Sequence, residues 1–195
     1  MRTDPASQLF HLPVSGYRYL LVISPAMDIA QAVDVLKAQV ERAIGTYRYR
    51  HSKAHITLFY ADLPVECERD LCKGIERATL GQRKFDLHYD GITHFENKQT
   101  IYIDPVEKLP IDSLRKSVVA HTRSFKRLKK LGINPSDHPH LTIAAGLELV
   151  QFEAAWALLA PHVFKREDRV AEIVLLRKDL RANDKYQHVR SFALS

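Results

Sequence analysis

Ser52-Lys53-Ala54-His55-Ile56-Thr57-Leu58 and Asp137-His138-Pro139-His140-Leu141-Thr142-Ile143 carry one pattern, His-apolar-Thr-apolar, about 85 residues apart. A short run that alternates polar and apolar residues reads as a half-buried β-strand. Alternate side chains of a strand share a face. His55 and Thr57 therefore point one way, with Ile56 and Leu58 behind them in the core. His140 and Thr142 stand the same way over Leu141 and Ile143. Each copy lays an imidazole and a hydroxyl, about 7 Å apart along the backbone, over an apolar face. One His-x-Thr arises readily by chance and reads as a surface strand. Two copies at equivalent points of a repeated unit are much rarer.

The repeat appears on working outward from these two strands. Tyr17–Ser24 is a β-rich apolar run ending at Pro25. A helix follows over Asp28–Ile44, with Ile29, Val33, Leu36, Val40 and Ile44 at helical spacing and Gly45 as its stop. The first motif strand is His55–Tyr60, and Pro64–Thr79 is a second helix closed by Gly81. Lys84–Phe95 and Thr100–Ile103 read as strands joined by a turn at Glu96-Asn97-Lys98. Asp112 caps a long helix through Leu131, ended by Gly132. His140–Ala145 is the second motif strand, Phe152–Leu159 a short helix, and Val170–Leu176 and Gln187–Leu194 the last two strands. The order is β-α-β-α-β, then β-α-β-α-β-β. It fits one domain over 1–195 built by duplication, with repeat units at roughly 17–95 and 98–195. Strands joined by hairpins between helices predict an α+β fold with mainly antiparallel sheets.

Composition narrows the partners. A chain of 195 residues, 46% apolar and 27% charged, is ordinary globular usage, which excludes a disordered or collagen-like chain. No run of 18 apolar residues offers a helical membrane span. The N-terminus lacks the basic, apolar and small-residue series of a secretory signal, so a cytoplasmic location is expected. Cys67 and Cys72 are too few for a disulfide framework and match no metal or redox spacing. The formal net charge of +6 favours anionic partners such as nucleotides, RNA or acidic membranes.

The paired motif suits displacement at phosphorus. A nucleophile enters in line with a departing alkoxide, so one group takes a proton while another gives one. Imidazole, with an ordinary pKa near 6.5, can do either near neutrality. Threonine hydroxyls can donate to the non-bridging oxygens. Such a site needs neither metal nor cofactor.

The two tetrads, together with YLLVISP at 19–25, HSKAHITL at 51–58, a basic helix and HPHLTI at 138–143, resemble the two-histidine (2H) phosphoesterase superfamily. This group includes the 2′,5′-RNA ligase and cyclic nucleotide phosphodiesterase families, and the resemblance runs from Tyr17 to Leu194. It implies a bilobal α+β fold with pseudo-twofold symmetry about a central cleft. It implies metal-independent hydrolysis of a 2′,3′-cyclic phosphate or a 2′,5′ linkage, with reverse ligation of RNA ends in some members. His55 and His140 would be the acid–base pair, and Thr57 and Thr142 the hydroxyls that hold the phosphate. The expected partner is a nucleotide or an RNA end with a cyclic phosphate, with no membrane, and the chain is expected to act as a monomer. An RNA-binding module of the same fold without turnover is the alternative reading.

Four further residues are candidates for substrate binding. Lys53 and His138 each lie two before a motif histidine and share its face. Arg127 belongs to a helix whose only acid is Asp112, and it lies with Lys129 and Lys130 near the second motif; the helix also reads as a solvated face. Tyr19 stands where similar proteins often carry an aromatic that stacks on a base, and it also reads as a core tyrosine. His138-x-His140 could hold a metal, but no third ligand is spaced to complete a site. Tyr47-Arg48-Tyr49-Arg50 mixes aromatics and cations, as nucleic-acid sites and exposed loops both do.

Overall fold

A computed structural model describes residues 16–95, 99–182 and 185–195. The proposed turn at Glu96-Asn97-Lys98 lies outside them. The elements run β1 (Gly16–Ile23), α1 (Met27–Ile44), β2 (Ile56–Pro64), α2 (Glu68–Thr79), β3 (Phe85–Phe95), β4 (Thr100–Pro105), α3 (Lys108–Arg123), α4 (Lys126–Lys129), β5 (Ile133–Pro135), β6 (Leu141–Ala144), α5 (Leu149–Leu159), β7 (Lys165–Val170), β8 (Glu172–Asp179) and β9 (Gln187–Ala193). One sheet has the order β5-β2-β1-β8-β9 and the other β6-β4-β3-β7. Every pairing is antiparallel. The fold is α+β, with duplicated lobes related by a pseudo-twofold axis.

The two sheets do not coincide with the two repeat units. The first sheet takes β1 and β2 from the first unit and β5, β8 and β9 from the second. The second sheet takes β3 from the first unit and β4, β6 and β7 from the second. The first unit therefore sends β3 to the second sheet, and the second unit divides its strands equally between the two. The helices are exchanged as well: α1 packs with α5 against β6, whereas α2 and α3 pack together beside β2 and β9. The predicted stripe of α1 explains its seat, since Ile29, Val33, Leu36 and Val40 are all buried. Tyr19, Leu21 and Ile23 of β1 face the same continuous core. Leu20, Val22 and Val174, on the opposite face of β1 and β8, form a small apolar cluster of their own.

Several predicted elements are redrawn. The helix assigned to Pro64–Thr79 begins at Glu68; β2 runs on to Pro64, and a single 3-10 turn, Val65–Cys67, joins them. The long helix starts at Lys108, a turn before Asp112, with Pro110 tolerated in its first turn, where the amide has no intrahelical partner. It stops at Arg123 rather than Leu131. The Thr122 hydroxyl donates to the Val118 and Val119 carbonyls and the Ser124 hydroxyl to His121, and such bonds compete with helix continuation. Strands β5 and β7 lay hidden in the sequence. Both are sheet edges, and Lys-Arg-Glu-Asp-Arg-Val of β7 is mostly exposed, so no apolar alternation marks it.

Candidate active site

Both motif histidines sit one residue ahead of a strand, His55 before β2 and His140 before β6. Each is held in the same way. His55 Nδ1 lies 2.8 Å from the Lys53 carbonyl oxygen, and His140 Nδ1 lies 2.7 Å from that of His138. A carbonyl only accepts, so each Nδ1 carries the proton, and each Nε2 is left to accept a proton or, once protonated, to donate one. Lys53 and His138, read from the sequence as side chains for the substrate, thus act first through their backbone carbonyls.

The threonines follow on matching ledges. Thr57 lies opposite Val22 of β1, and Thr142 opposite Tyr102 of β4. In each motif strand the register then slips by one residue, at Leu58 and at Ile143. The bulge puts two successive side chains into the core, Leu58 with Phe59 and Ile143 with Ala144. Strict alternation would have turned Phe59 and Ala144 outward. Among the described residues neither threonine hydroxyl is tied up in a hydrogen bond, so both remain available to an oxyanion. His140 is close enough to His55 for a charge there to lower its pKa. The two imidazoles are thus within electrostatic reach of each other.

The second histidine stands in an aromatic setting. Phe95 of β3 stacks on Tyr102 of β4 with ring centroids 4.2 Å apart. The His140 ring lies 5.4 Å from Phe95 and 5.0 Å from Tyr102. His138 approaches the same two rings edge-on at 4.8 and 5.4 Å, and its Nε2 is 3.3 Å from the Asp104 carboxylate. The first histidine has a different neighbour. Lys37 of α1 is 1% exposed, and its ammonium donates to the carbonyl and hydroxyl of Ser52, at 2.5 and 3.1 Å. Phe95, Asp104 and Lys37 were missed in the sequence. Only Lys37 left a signal there, as a lysine inside the apolar stripe between Val33 and Val40.

Two candidates lie elsewhere. Tyr19 is wholly buried and its hydroxyl bonds Glu68, so no ring face is open to a base. Its place on the core side of β1 follows from the register, which sends Val22 rather than Tyr19 to the Thr57 face. Arg127 is exposed on α4, where its charge acts on the Cys67 thiol. Cys67 follows the end of β2 remote from His55, and nine strand residues at about 3.3 Å each separate those ends by roughly 30 Å. The break after α3 is what carries Arg127 away. Tyr47-Arg48-Tyr49-Arg50 is largely structural: Arg50 pairs with Asp34 and Glu41 of α1, and buried Tyr47 donates to the Ile143 carbonyl at 3.2 Å. Tyr47 thereby ties the loop before the first motif to the second motif strand. Among the described residues no group of three His, Cys, Asp or Glu side chains is placed to hold a metal ion. No described helix is long and apolar enough to cross a membrane.

Burial pushes both catalytic candidates below the ordinary histidine pKa. For His55 the bond to the Lys53 carbonyl opposes this, and the Lys37 charge adds to it. For His140 the His138 carbonyl and Asp104 oppose it, while His138 and His55 add to it. Unfolded histidines take up protons as the pH falls through about 6.5, and these folded ones refuse them. Stability is therefore expected to drop as the pH falls below 6.5, and the melting temperature should drop with it. The His55→Gln, His140→Gln double variant should show a shallower slope. His88, raised by its bond to Glu107, acts in the opposite direction in both proteins and cancels from the comparison. Equal slopes would mean that neither imidazole is held neutral by the fold.

Comparison with known proteins agrees with this architecture. The chain is similar over 92% of its length to a crystal structure described as a phosphoesterase, with a TM-score of 0.67, 18% identity and 99% of that chain covered. It is similar to E. coli LigT complexed with 3′-AMP at a TM-score of 0.66 and 16% identity, covering 92% of this chain and 99% of that one. LigT has also been solved with phosphate, NADP+ and ATP. TT0787 of Thermus thermophilus gives a TM-score of 0.66 at 17% identity, with 91% and 97% covered. No curated protein matches the chain. The family model described as the 2′-5′ RNA ligase superfamily matches residues 25–182, a span that holds both histidine tetrads, and the chain belongs to that family.

Proposed function

We propose that the protein is a phosphoesterase that opens a 2′,3′-cyclic phosphate, or cleaves a 2′,5′ linkage, at a nucleotide or RNA end. The observation that carries this reading is the matched pair of imidazoles, each locked through Nδ1 to the carbonyl two residues back with Nε2 free. One Nε2 removes a proton from the attacking water. The other gives a proton to the oxygen that leaves. Thr57 and Thr142 donate to the non-bridging oxygens as charge builds there, where one well-placed donor is worth about 10²–10³-fold in rate. Beside His140 the half-buried Phe95 ring, backed by buried Tyr102, gives a nucleobase or ribose an apolar edge to pack on. The net charge of +6 favours a polyanionic substrate, and RNA ends fit it better than a small neutral ester.

The test is turnover of a 2′,3′-cyclic nucleotide and of a short RNA with a cyclic end, both in EDTA. Hydrolysis in chelator is expected, and the phosphomonoester formed identifies the leaving oxygen. No turnover of either ester, combined with RNA binding that weakens as salt rises, would instead favour a binding module of this fold.

A further inference from the structure

The two histidines are held alike but are charged differently from behind. We propose that Lys37 is a positioning residue that sets the direction of proton transfer: His55 accepts the proton of the attacking water, and His140 donates one to the leaving oxygen. This assignment rests on the phosphoesterase reading above.

The geometry begins on α1. Lys37 is sealed in the protein, and its ammonium holds both oxygens of Ser52. The next residue, Lys53, offers the carbonyl that fixes His55 Nδ1. A buried cation is thus built into the foundation of the His55 loop. The groups around it leave the charge largely uncancelled. Asp34 favours the ammonium, but Asp34 is already bonded to Arg50, whose own charge opposes it. The side chain of Lys53 is exposed. Protonating His55 would add a second cation within electrostatic reach of the first, which disfavours the charged ring and holds His55 in the accepting form.

The second lobe holds an ion pair, Asp104 with Lys108, rather than a lone cation, and the Lys108 ammonium also approaches the Pro139 carbonyl at 3.5 Å. Behind His138 and His140 stands the Asp104 carboxylate, which favours a charged His140. Lys108 of α3 pairs with Asp104 and moderates the effect, and His138 and His55 oppose it. A bound phosphate adds negative charge between the two imidazoles. The proton it attracts goes to the ring with a paired carboxylate behind it rather than to the ring backed by an uncancelled ammonium.

Water oxygen bonds to phosphorus, and His55 Nε2 takes its proton. The bond from phosphorus to the ester oxygen breaks with the pair on oxygen, and His140 Nε2–H protonates it. His55 ends charged and His140 neutral, and exchange with solvent restores both. The nucleoside thus leaves on the His140 side, beside Phe95 and Tyr102, and water enters on the His55 side.

Two measurements test this, each independent of the other. In the first, the ring signals of His55 and His140 are titrated by NMR with and without inorganic phosphate. Phosphate should raise the midpoint of His140 more than that of His55. Lys37→Met should raise the His55 midpoint by roughly one pH unit and leave that of His140 in place. A Lys37 with only a structural role would move neither, and an unmoved His55 would overturn the proposal. In the second, the leaving oxygen of the cyclic phosphate is replaced by sulfur, which departs without a proton. The sulfur ester should restore His140→Ala by about 100-fold or more relative to the oxygen ester, and should not restore His55→Ala. Rescue of His55→Ala instead would reverse the assignment while leaving the phosphoesterase reading intact. A wild type inert on both esters would overturn that reading itself.

Discussion

His55→Ala and His140→Ala are each expected to lower kcat/KM on a 2′,3′-cyclic nucleotide by about 10²–10⁴-fold with the fold unchanged. The loss is large because, on the proposed mechanism, each imidazole carries one half of the proton traffic and no described neighbour is placed to take over. The Lys53 side chain next to His55 is exposed, and His138 near His140 is turned toward Asp104. The fold survives because each ring makes one bond, to a carbonyl two residues away in its own loop. Both rings also disfavour their charged form in place, so removing them relieves a cost at low pH. The double variant should fall little further than either single one, since the two rings act as a unit in one step. Single-turnover rates with circular dichroism on each variant check this. A variant that kept wild-type turnover would remove that histidine from the chemistry.

Gly74→Leu is expected to cost roughly 4 kcal/mol of stability, the other large effect. Gly74 lies where α2 meets α3. A Cβ built there would stand 2.8 Å from both Cα and Cγ2 of Thr122, and 3.1 Å from its amide nitrogen. Two of those atoms belong to the α3 backbone, which cannot swing aside as a side chain would. Thr122 is itself fully buried and bonded to the Val118 and Val119 carbonyls. Gly74→Ala sets two terms against each other. Better helix propensity returns about 1 kcal/mol, and overpacking costs about 1–3 kcal/mol. A net loss near 1 kcal/mol is expected for Ala and a much larger one for Leu. Urea unfolding midpoints measure both, and an Ala variant as stable as wild type would show that the two helices part easily.

Lys37 illustrates the tension between stability and site design. Burial pulls its pKa from 10.5 to about 8. A shift of that size corresponds to about 3 kcal/mol of unfavourable burial at neutral pH. Lys37→Met removes that cost but leaves two Ser52 oxygens short of a donor, at about 1–3 kcal/mol. The terms nearly offset, so the variant is expected to fold and its histidine titration to be readable. A chain selected for stability alone has little reason to keep such a cation in an apolar stripe.

The sequence by itself determined the four motif residues, the antiparallel α+β character and the duplication. These are local properties. Period-two alternation puts His55 with Thr57 and His140 with Thr142, and helical spacing marks the buried stripe of α1, whichever elements come to cover them. Partnership between distant segments belongs to the tertiary structure. β3 crosses to the second sheet while β5, β8 and β9 join the first, and a bulge follows each threonine. Tyr19 turns to the core, and Arg127 lies beyond a broken helix. Phe95 meets Tyr102 and His140 because β3 pairs with β4 and β4 with β6. The asymmetry of charge behind two otherwise equivalent histidines arises in the same way, with a lone Lys37 reaching one loop from α1 and the Asp104–Lys108 pair standing behind the other. A repeat in sequence specifies two like strands. What stands behind each is decided by pairing and packing across the chain, which no local period encodes.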